Sequence, residues 1–223
     1  MGNQVQFKSM KRLIIICEGQ TEIEFCKDVL LKHFISKEIL IQTPLIKKSG
    51  GGIVPWTTLK KQIELHLNEK DVIVTTFIDY YGIPDKFNYP SWQESKKIID
   101  KNLRMDFLED AMKNSINHNR YIPYIQLHEF EGLLFNNIGI FDQNFNPSEL
   151  NSRQEIVNIL NTYPNPELIN DSSITAPSKR LEKIISGYSK IVFGSILAED
   201  IGLNNIRQKS PRFHNWIDTL EKI

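Results

Sequence analysis

The sequence predicts an α/β fold, in which a mostly parallel sheet is flanked by helices and followed by a helical C-terminal portion. Largely apolar runs, at residues 13–17 and 72–78, are typical of strands that are buried on both faces of a parallel sheet. Segments long enough for helices separate these runs, which favours right-handed crossovers. From residue 152 onward the patterns are helical only. We therefore divide the chain into an α/β core, residues 1–136, and a helical portion packed on it, residues 137–223.

The first strand and helix lie near the start of the chain. The segment KRLIIICEG, which ends at Gly19, predicts the central strand. Thr21 is expected to begin the helix, because Glu24 stands three residues later as in a capping box. Apolar residues then follow at helical spacing, namely Ile23, Cys26, Leu30 and Phe34.

Three further strands are expected. Residues 38–46 (EILIQTPLI) predict the second strand, and residues 72–79 (VIVTTFID) predict the third, which Pro84 prevents from continuing. Residues 121–128 (YIPYIQLH) predict the fourth strand, which leads directly into the segment EFEGLLF.

Helices are expected between these strands and throughout the C-terminal portion. One begins near Trp56, and a long one is predicted to open at Ser91, because Glu94 completes a second capping box. Their apolar faces comprise Trp56, Leu59, Ile63 and Leu67 in the first, and Leu103, Leu108 and Met112 in the second. The C-terminal helical segments are SRQEIVNIL, SKRLEKIIS, KIVFGSILAEDIG and PRFHNWIDTLEKI.

The composition excludes several classes of protein. Hydrophobic residues make up 40% of the chain, which excludes a disordered chain. The 27 basic and 27 acidic side chains cancel, so any contact with nucleic acid must be local. The longest purely apolar run, Leu13 to Cys17, is too short to span a membrane, and the first residues lack the apolar stretch of a signal peptide. We expect a soluble, cytoplasmic protein without a zinc site, because its two cysteines lack ligand spacing.

Acidic residues follow three of the predicted strands. Glu18 follows the first strand, Asp79 ends the third, and His128, Glu129 and Glu131 follow the fourth. Ligands of open α/β sheets bind at the carboxyl ends of the strands. We therefore expect four carboxylates to share one edge of the sheet.

Carboxylates placed together repel one another unless a cation compensates them, and Mg²⁺ or Mn²⁺ takes oxygen ligands of this kind. The alternative is that each residue has a local structural role, because a single aspartate at a strand end is commonly a turn former. Glu22 and Glu24 are explained as a first-turn acid and a capping acid. For His128, a ligand or general base and a hydrogen-bonded structural residue are equally consistent with the sequence.

Two cations, Lys179 and Arg180, follow Pro177 near a predicted helix start, which the helix dipole disfavours unless an anion lies nearby. Contact with phosphates is one explanation, and a solvated helix face is the other. Together with Lys190, they are predicted to line a cationic approach to the acidic edge.

Several stretches resemble a known family. They are IIICEGQTEIEF, TTFIDYYGIP, YIQLHEFEGLLF and YPNPELINDSSITAPSKRLEKI, with the later PRFHNWI. The chain resembles small bacterial Toprim-like proteins grouped as domain of unknown function 4276. The segments HEFEGLLF and PELIND to PSKRL are specific to that family, whereas EG followed by a helix is shared by Toprim proteins broadly.

The resemblance implies Mg²⁺-dependent cleavage of phosphodiesters, because Toprim domains are the catalytic modules of topoisomerases, primases and overcoming-lysogenization-defect nucleases. The Toprim glutamate then falls on Glu18, and the DxD motif falls on Asp79 to Tyr81. Tyr81 stands in place of the second aspartate. This departure implies weaker metal binding, a substitute acid at Glu129 or Glu131, or lost catalysis.

We therefore predict a metal-dependent nuclease in which Glu18, Asp79 and Glu129 hold Mg²⁺ or Mn²⁺. Glu131 and His128 complete the catalytic set. The resemblance also implies an ATPase partner of the ABC or AAA type in a bacterial antiphage defence system. The choice of DNA, RNA or tRNA as substrate and the oligomeric state, a homodimer included, are left open. The competing hypothesis is a catalytically inactive binding or regulatory subunit, which Tyr81 favours.

Overall fold

The computed structural model of the protein describes residues 10–47, 52–170, 172 and 174–223. Over these residues the chain forms a five-stranded sheet in the order β2-β1-β3-β4, with β5 also pairing with β3. The four strand pairs among the described residues are all parallel. The strands are β1 (Lys11–Cys17), β2 (Ile39–Gln42), β3 (Val72–Asp79), β4 (Tyr121–Ile122) and β5 (Ile125–Gln126). The predicted α/β class and the parallel sheet are confirmed.

Strand β1 lies between β2 and β3, as predicted for the central strand. Its residues alternate between two hydrophobic cores. Leu13 and Ile15 belong to the core on one face of the sheet, and Ile14 and Ile16 belong to the core on the other. This alternation explains why the whole run is apolar, because successive side chains of a strand point to opposite faces and both faces are covered.

The predicted fourth strand is divided at Pro123, which lacks the N–H that a strand pair needs. Both pieces still pair with β3. The side chain of Thr76 bridges the gap, because its hydroxyl accepts from the Tyr124 N–H at 3.1 Å and donates to the Tyr124 carbonyl at 3.0 Å.

Helices cover both faces of the sheet and form the C-terminal portion. In the first half they are α1 (Gln20–Phe25), α2 (Leu31–Ile35), α3 (Trp56–Leu67), α4 (Trp92–Ser95) and α5 (Lys101–Ile116). In the second half they are α6 (Ile138–Asn144), α7 (Arg153–Thr162), α8 (Pro177–Ile184), α9 (Lys190–Ile201), α10 (Leu203–Lys209) and α11 (Pro211–Leu220). A π-helical segment, Cys26–Leu30, joins α1 to α2.

The first helix begins with a capping box, but Thr21 and Glu24 do not form it, so the predicted residues are wrong. The helix is capped at Gly19, whose N–H donates to the Glu22 carboxylate at 2.8 Å. Thr21 is already inside the helix, and Glu24 instead pairs with Lys27 at 2.9 Å. The cap therefore lies two residues earlier than predicted, and glycine suits it because a Cβ at position 19 would lie 3.0 Å from the Glu22 carboxylate.

The long helix also begins later than predicted. Ser91 adopts a left-handed backbone with φ of 54°, and its side chain makes no capping hydrogen bond, so only the single turn α4 follows it. Helix α5 starts at Lys101, where the Asp100 carboxylate accepts from the Leu103 N–H at 2.9 Å.

The C-terminal helices pack against one face of the sheet. Trp216 of α11 donates from its indole to the Thr75 hydroxyl of β3 at 2.9 Å, and Phe213 lies with its ring centre 5.8 Å from that of Phe25. The boundary at residues 136 and 137 stays a prediction. Residues 47–52 (KKSGGG) lack the GxxxxGK[ST] pattern of a phosphate loop and are predicted to form a flexible loop, and residues 48–51 of this run lie outside the described residues. Within the described parts of the chain, no helix has the length and apolar character needed to cross a membrane.

Candidate functional site

Glu18 and Asp79 lie side by side at the carboxyl edge of the sheet. Strands β1 and β3 pair in parallel with Cys17 opposite Phe77, so the residues that follow them meet. The Asp79 N–H donates to the Glu18 carboxylate at 2.9 Å. Both side chains remain partly exposed. Parallel pairing therefore brings together the two acids that the sequence singled out.

The HEFE segment, residues 128–131, is held against this pair. The Asp79 carboxylate accepts from the Phe130 N–H at 3.0 Å, and the Tyr81 N–H donates to the His128 carbonyl at 2.9 Å. His128 is buried and has a left-handed backbone with φ of 70°. This conformation turns the chain sharply at the end of β5 and directs the segment across the strand ends.

The two glutamates of HEFE diverge. The buried Glu129 carboxylate accepts from the Ser178 N–H in the first turn of α8 at 2.9 Å, where the helix dipole favours negative charge. The Glu131 carboxylate instead pairs with the Lys190 ammonium at 3.0 Å, at the start of α9. The segment therefore ties two C-terminal helices to the acidic edge of the sheet.

We call the five residues Glu18, Glu22, Asp79, Glu129 and Glu131 the acidic site. Burial raises the pKa of Glu18 to about 7, with Glu22 and Glu131 adding to the effect. Burial likewise raises the pKa of Glu22 to about 7. The pKa of Asp79 is raised well above its usual range, first by burial and then by Glu18 and the other acids around it.

Glu22 is the member of the site that the sequence analysis missed. We assigned it only to the first turn of a helix, yet its carboxylate interacts with Glu131 and Asp79 besides capping α1. Its distance of four residues from Glu18, across the turn at Gly19, was the available signal.

Lys190 is the cation that faces these acids. Burial by itself lowers the pKa of Lys190, but the carboxylates of Glu131, Glu129 and Asp79 outweigh that effect and raise it. A lysine held in this way stays protonated at neutral pH and offsets part of the charge of the acidic site.

The other two predicted cations point elsewhere. The Lys179 ammonium pairs with Glu182 at 2.6 Å. The Arg180 guanidinium donates to the Thr175 carbonyl at 2.7 Å and lies 5.9 Å from the centre of the Tyr163 ring. Both nevertheless follow Ser178 directly in α8, and the Ser178 N–H donates to Glu129, so the backbone that carries them borders the acidic site.

The chemistry of the donors fits a hard divalent cation, because the acidic site offers carboxylate oxygens that burial and mutual repulsion disfavour as free anions. No group of three or more histidine, cysteine, aspartate or glutamate side chains in the described ranges is arranged to hold a metal ion. Mg²⁺, however, usually binds through one or two carboxylates, with waters and substrate phosphates completing its shell. Glu18 and Asp79 form such a pair.

Glu167 links the PELIND segment to the later PRFHNWI segment. Its carboxylate is buried and accepts from the Arg212 and Phe213 N–H groups, at 2.9 and 3.0 Å, at the first turn of α11. The segments PELIND and PRFHNWI are therefore joined by a helix cap. Sequence reasoning could not find this contact, because the residues it joins are 45 and 46 positions apart.

Comparisons with known proteins identify a family. A family model described as "Domain of unknown function (DUF4276)" matches residues 17–221. Among solved structures, this chain is similar to the C-terminal region of the OLD protein from Xanthomonas campestris pv. campestris. The iodine-phased structure of that region has 16% sequence identity and a TM-score of 0.36, and the alignment covers 97% of this chain and 100% of that one. The platinum-phased structure of the same region has 16% identity and a TM-score of 0.37, with 95% and 96% covered. A search of proteins with curated functions finds no match.

Proposed function

The chain belongs to the family described as a domain of unknown function (DUF4276), and from this premise we propose that it is a metal-dependent nuclease of the Toprim type. The observation that supports this most strongly is the hydrogen-bonded pair of Glu18 and Asp79 at the carboxyl edge of a parallel sheet. A purely structural surface has no need to concentrate repelling carboxylates there.

In this proposal Glu18, Asp79 and Glu129 hold Mg²⁺ or Mn²⁺. When bound, the ion would neutralise phosphate charge and lower the pKa of a bound water. Phe130 orients Asp79 through its N–H, and Ser178 orients Glu129 in the same way. Each carboxylate is thereby fixed through one oxygen, which holds its second oxygen in a defined direction.

Glu18 is suited to move a proton as well. Without a bound ion its pKa is about 7, which lies near neutral pH, where a general acid or base is most effective. Glu131 is assigned a supporting role rather than a ligand role, because Lys190 already occupies its carboxylate. His128 is kept as a further catalytic candidate, since its backbone lies at the end of β5 beside Tyr81.

The cations are proposed to guide the phosphate backbone. Lys190 lies at the acidic site, and Lys179 and Arg180 stand on the first turn of α8, next to the residue that contacts Glu129. Phosphate contacts position a nucleic acid without reading its sequence. Charge reversal at these positions should therefore weaken binding of all sequences alike.

The family resemblance supports a partner ATPase of the ABC or AAA type and a role in antiphage defence. The zero net charge is consistent with this partnership, because a nuclease that collects its substrate alone benefits from a larger basic field. Cleavage that depends on a partner would also spare the host nucleic acid.

The test is to measure Mn²⁺ binding by calorimetry, and cleavage of DNA and RNA, in the parent protein and in Asp79→Asn. The parent is expected to bind Mn²⁺ and to cut nucleic acid, and the variant is expected to lose both properties. Glu24→Gln is the matched control, because Glu24 lies on the same helix as Glu22 but pairs with Lys27 at the surface. Equal Mn²⁺ affinity in the parent and in Asp79→Asn would contradict the metal assignment.

A second candidate function is an inactive Toprim-fold subunit that binds a partner. Tyr81 favours it, because an exposed tyrosine stands where the Toprim pattern has its second aspartate. This candidate predicts no Mn²⁺ binding by the parent protein and no change in partner binding in Asp79→Asn.

A further inference from the structure

The loop that follows β3 leaves the sheet at the acidic site. Its first two residues continue the pairing of the strands, because the Tyr80 N–H donates to the Gln126 carbonyl and the Tyr81 N–H donates to the His128 carbonyl, both at 2.9 Å. The loop then turns at Gly82, which has a φ of 96°. The backbone of Tyr81 is therefore fixed against the HEFE segment, two residues after Asp79.

The rings of the two tyrosines are placed differently. Tyr80 packs on Trp92, with 5.4 Å between ring centres, and its hydroxyl accepts from the Arg104 guanidinium at 3.2 Å. Tyr81 belongs to neither hydrophobic core and is 36% exposed. The first tyrosine thus anchors the loop, and the second presents its ring to solvent.

Cations accompany the aromatic rings of this loop. The Lys86 ammonium lies 6.0 Å from the centre of the partly exposed Phe87 ring, and the Arg104 guanidinium carbon lies 5.9 Å from the centre of the Tyr80 ring. Aromatic faces with neighbouring cations are the surface that binds single-stranded nucleic acids, in which bases stack on the rings and cations contact the phosphates.

We propose that the loop at residues 80–87 binds unpaired bases, so that single-stranded nucleic acid is the substrate class, with Tyr81 as the stacking platform next to Glu18 and Asp79. This inference rests on the proposed nuclease function. Base pairs of a duplex are already stacked on one another and offer no free face to Tyr81. A single strand held on this ring would bring an adjacent phosphodiester to the edge of the sheet where the acidic site lies.

The experiment is fluorescence anisotropy with a labelled single strand and with the same strand annealed to its complement, as DNA and as RNA, with divalent metals chelated. The parent is expected to bind the single strand more tightly than the duplex. Tyr81→Ala should weaken single-strand binding about tenfold, since one base stacked on an aromatic ring contributes about 1–3 kcal/mol. Tyr81→Phe should bind like the parent because it keeps the ring.

Phe107→Ala is the matched control, because Phe107 is 39% exposed on α5, outside the loop, and has no role in the acidic site. It should leave binding unchanged. The inference is overturned if Tyr81→Ala binds the single strand as well as the parent does, or if the parent prefers the duplex.

Failure of this inference can be told apart from failure of the nuclease proposal, because binding is measured without metal and cleavage is measured separately. Loss of binding in Tyr81→Ala together with no cleavage by the parent would contradict the nuclease function alone, and together with unchanged cleavage in Asp79→Asn it would contradict the role of Asp79 alone. Unchanged binding in Tyr81→Ala together with lost cleavage in Asp79→Asn would contradict the stacking role alone.

Discussion

Two groups of acidic side chains in this molecule are stabilised by different partners. In the acidic site, the Lys190 ammonium pairs with the Glu131 carboxylate at 3.0 Å and also attracts the carboxylates of Glu129 and Asp79. We call the second group the Arg212 cluster; it comprises Asp106, Glu109, Glu167 and Arg212. The Arg212 guanidinium pairs with Glu109 at 2.8 Å and with Asp106. The Glu167 carboxylate accepts hydrogen bonds from two backbone N–H groups.

The difference separates acids that hold the fold together from acids placed for chemistry. Burial raises the pKa of Glu109 to about 7 and also raises the pKa of Glu167, as it does for Glu18 in the acidic site, so raised pKa values are common to both groups. The partners differ. Glu109 faces the Arg212 guanidinium and Glu167 accepts two backbone N–H groups, whereas the pKa of Asp79 is raised further by Glu18 and the other acids around it. Perturbed acids at the edge of a sheet are typical of functional sites.

The largest effect is expected from Glu18→Gln. Cleavage should fall by more than about a hundredfold, because even the outer partners of metal sites contribute about 10–100-fold. Thermal stability should stay the same or rise, since one repelling carboxylate is removed. Cleavage assays and thermal melts on the same preparation measure both quantities. If Glu18→Gln cuts nucleic acid as well as the parent does, Glu18 has a structural role like that of the acids in the Arg212 cluster.

Glu167→Ala should give the opposite pattern. Removing the acceptor of two buried N–H groups should lower the free energy of unfolding by about 2–3 kcal/mol. Mn²⁺ binding by the folded protein should not change. Denaturant unfolding and calorimetry test this, and Glu182→Ala, at an exposed position of α8, is the control. Loss of Mn²⁺ binding without loss of stability would erase the distinction between the two groups.

Tyr81→Asp should sharpen the comparison at the acidic site itself. It restores the second aspartate of the Toprim pattern at an exposed position, so Mn²⁺ affinity is expected to rise by about tenfold and cleavage without a partner should increase. Single-strand binding should fall, because the stacking ring is lost. Unchanged Mn²⁺ affinity would show that position 81 does not face the ion.

The smallest expected effect is on the pH dependence of stability. The pKa values of Glu18 and Glu22 are about 7 in the folded protein, against an ordinary value of 4.5. The folded state therefore binds more protons than the unfolded state between pH 4.5 and 7, so the stability from these groups is complete below pH 4.5 and is lost as the pH rises through 7.

Thermal melts should accordingly show Tm falling by roughly a few degrees from pH 6 to pH 8 in the parent, and by less in Glu18→Gln. Saturating Mn²⁺ at pH 8 should recover the loss, because the ion replaces the protons. Glu24→Gln should keep the slope of the parent, since the pKa of Glu24 is lowered by Lys27 and it titrates below this range. Identical slopes in all three proteins would contradict the assignment.

Much of the fold follows from local patterns in the sequence. The apolar runs of β1 and β3 are found where predicted, and helix α3 has the predicted apolar face at Trp56 and Ile63. Helix starts were less predictable. Ser91 and Asp100 are both good capping residues, and only the left-handed backbone at Ser91 decided between them.

The sequence by itself determined the parallel sheet and the meeting of Glu18 with Asp79. Apolar runs separated by helices leave few arrangements, and parallel neighbours must end at the same edge. Only the tertiary structure decided the partners of the other charged residues. Glu129 accepts from α8, Glu131 pairs with Lys190, and Glu167 caps α11. Lys179 pairs with Glu182, and Arg180 donates to the Thr175 carbonyl. These choices depend on which donor lies nearest in space to each buried carboxylate. That donor stands some 45 to 60 positions away in the chain for each of these glutamates, so no local spacing records it.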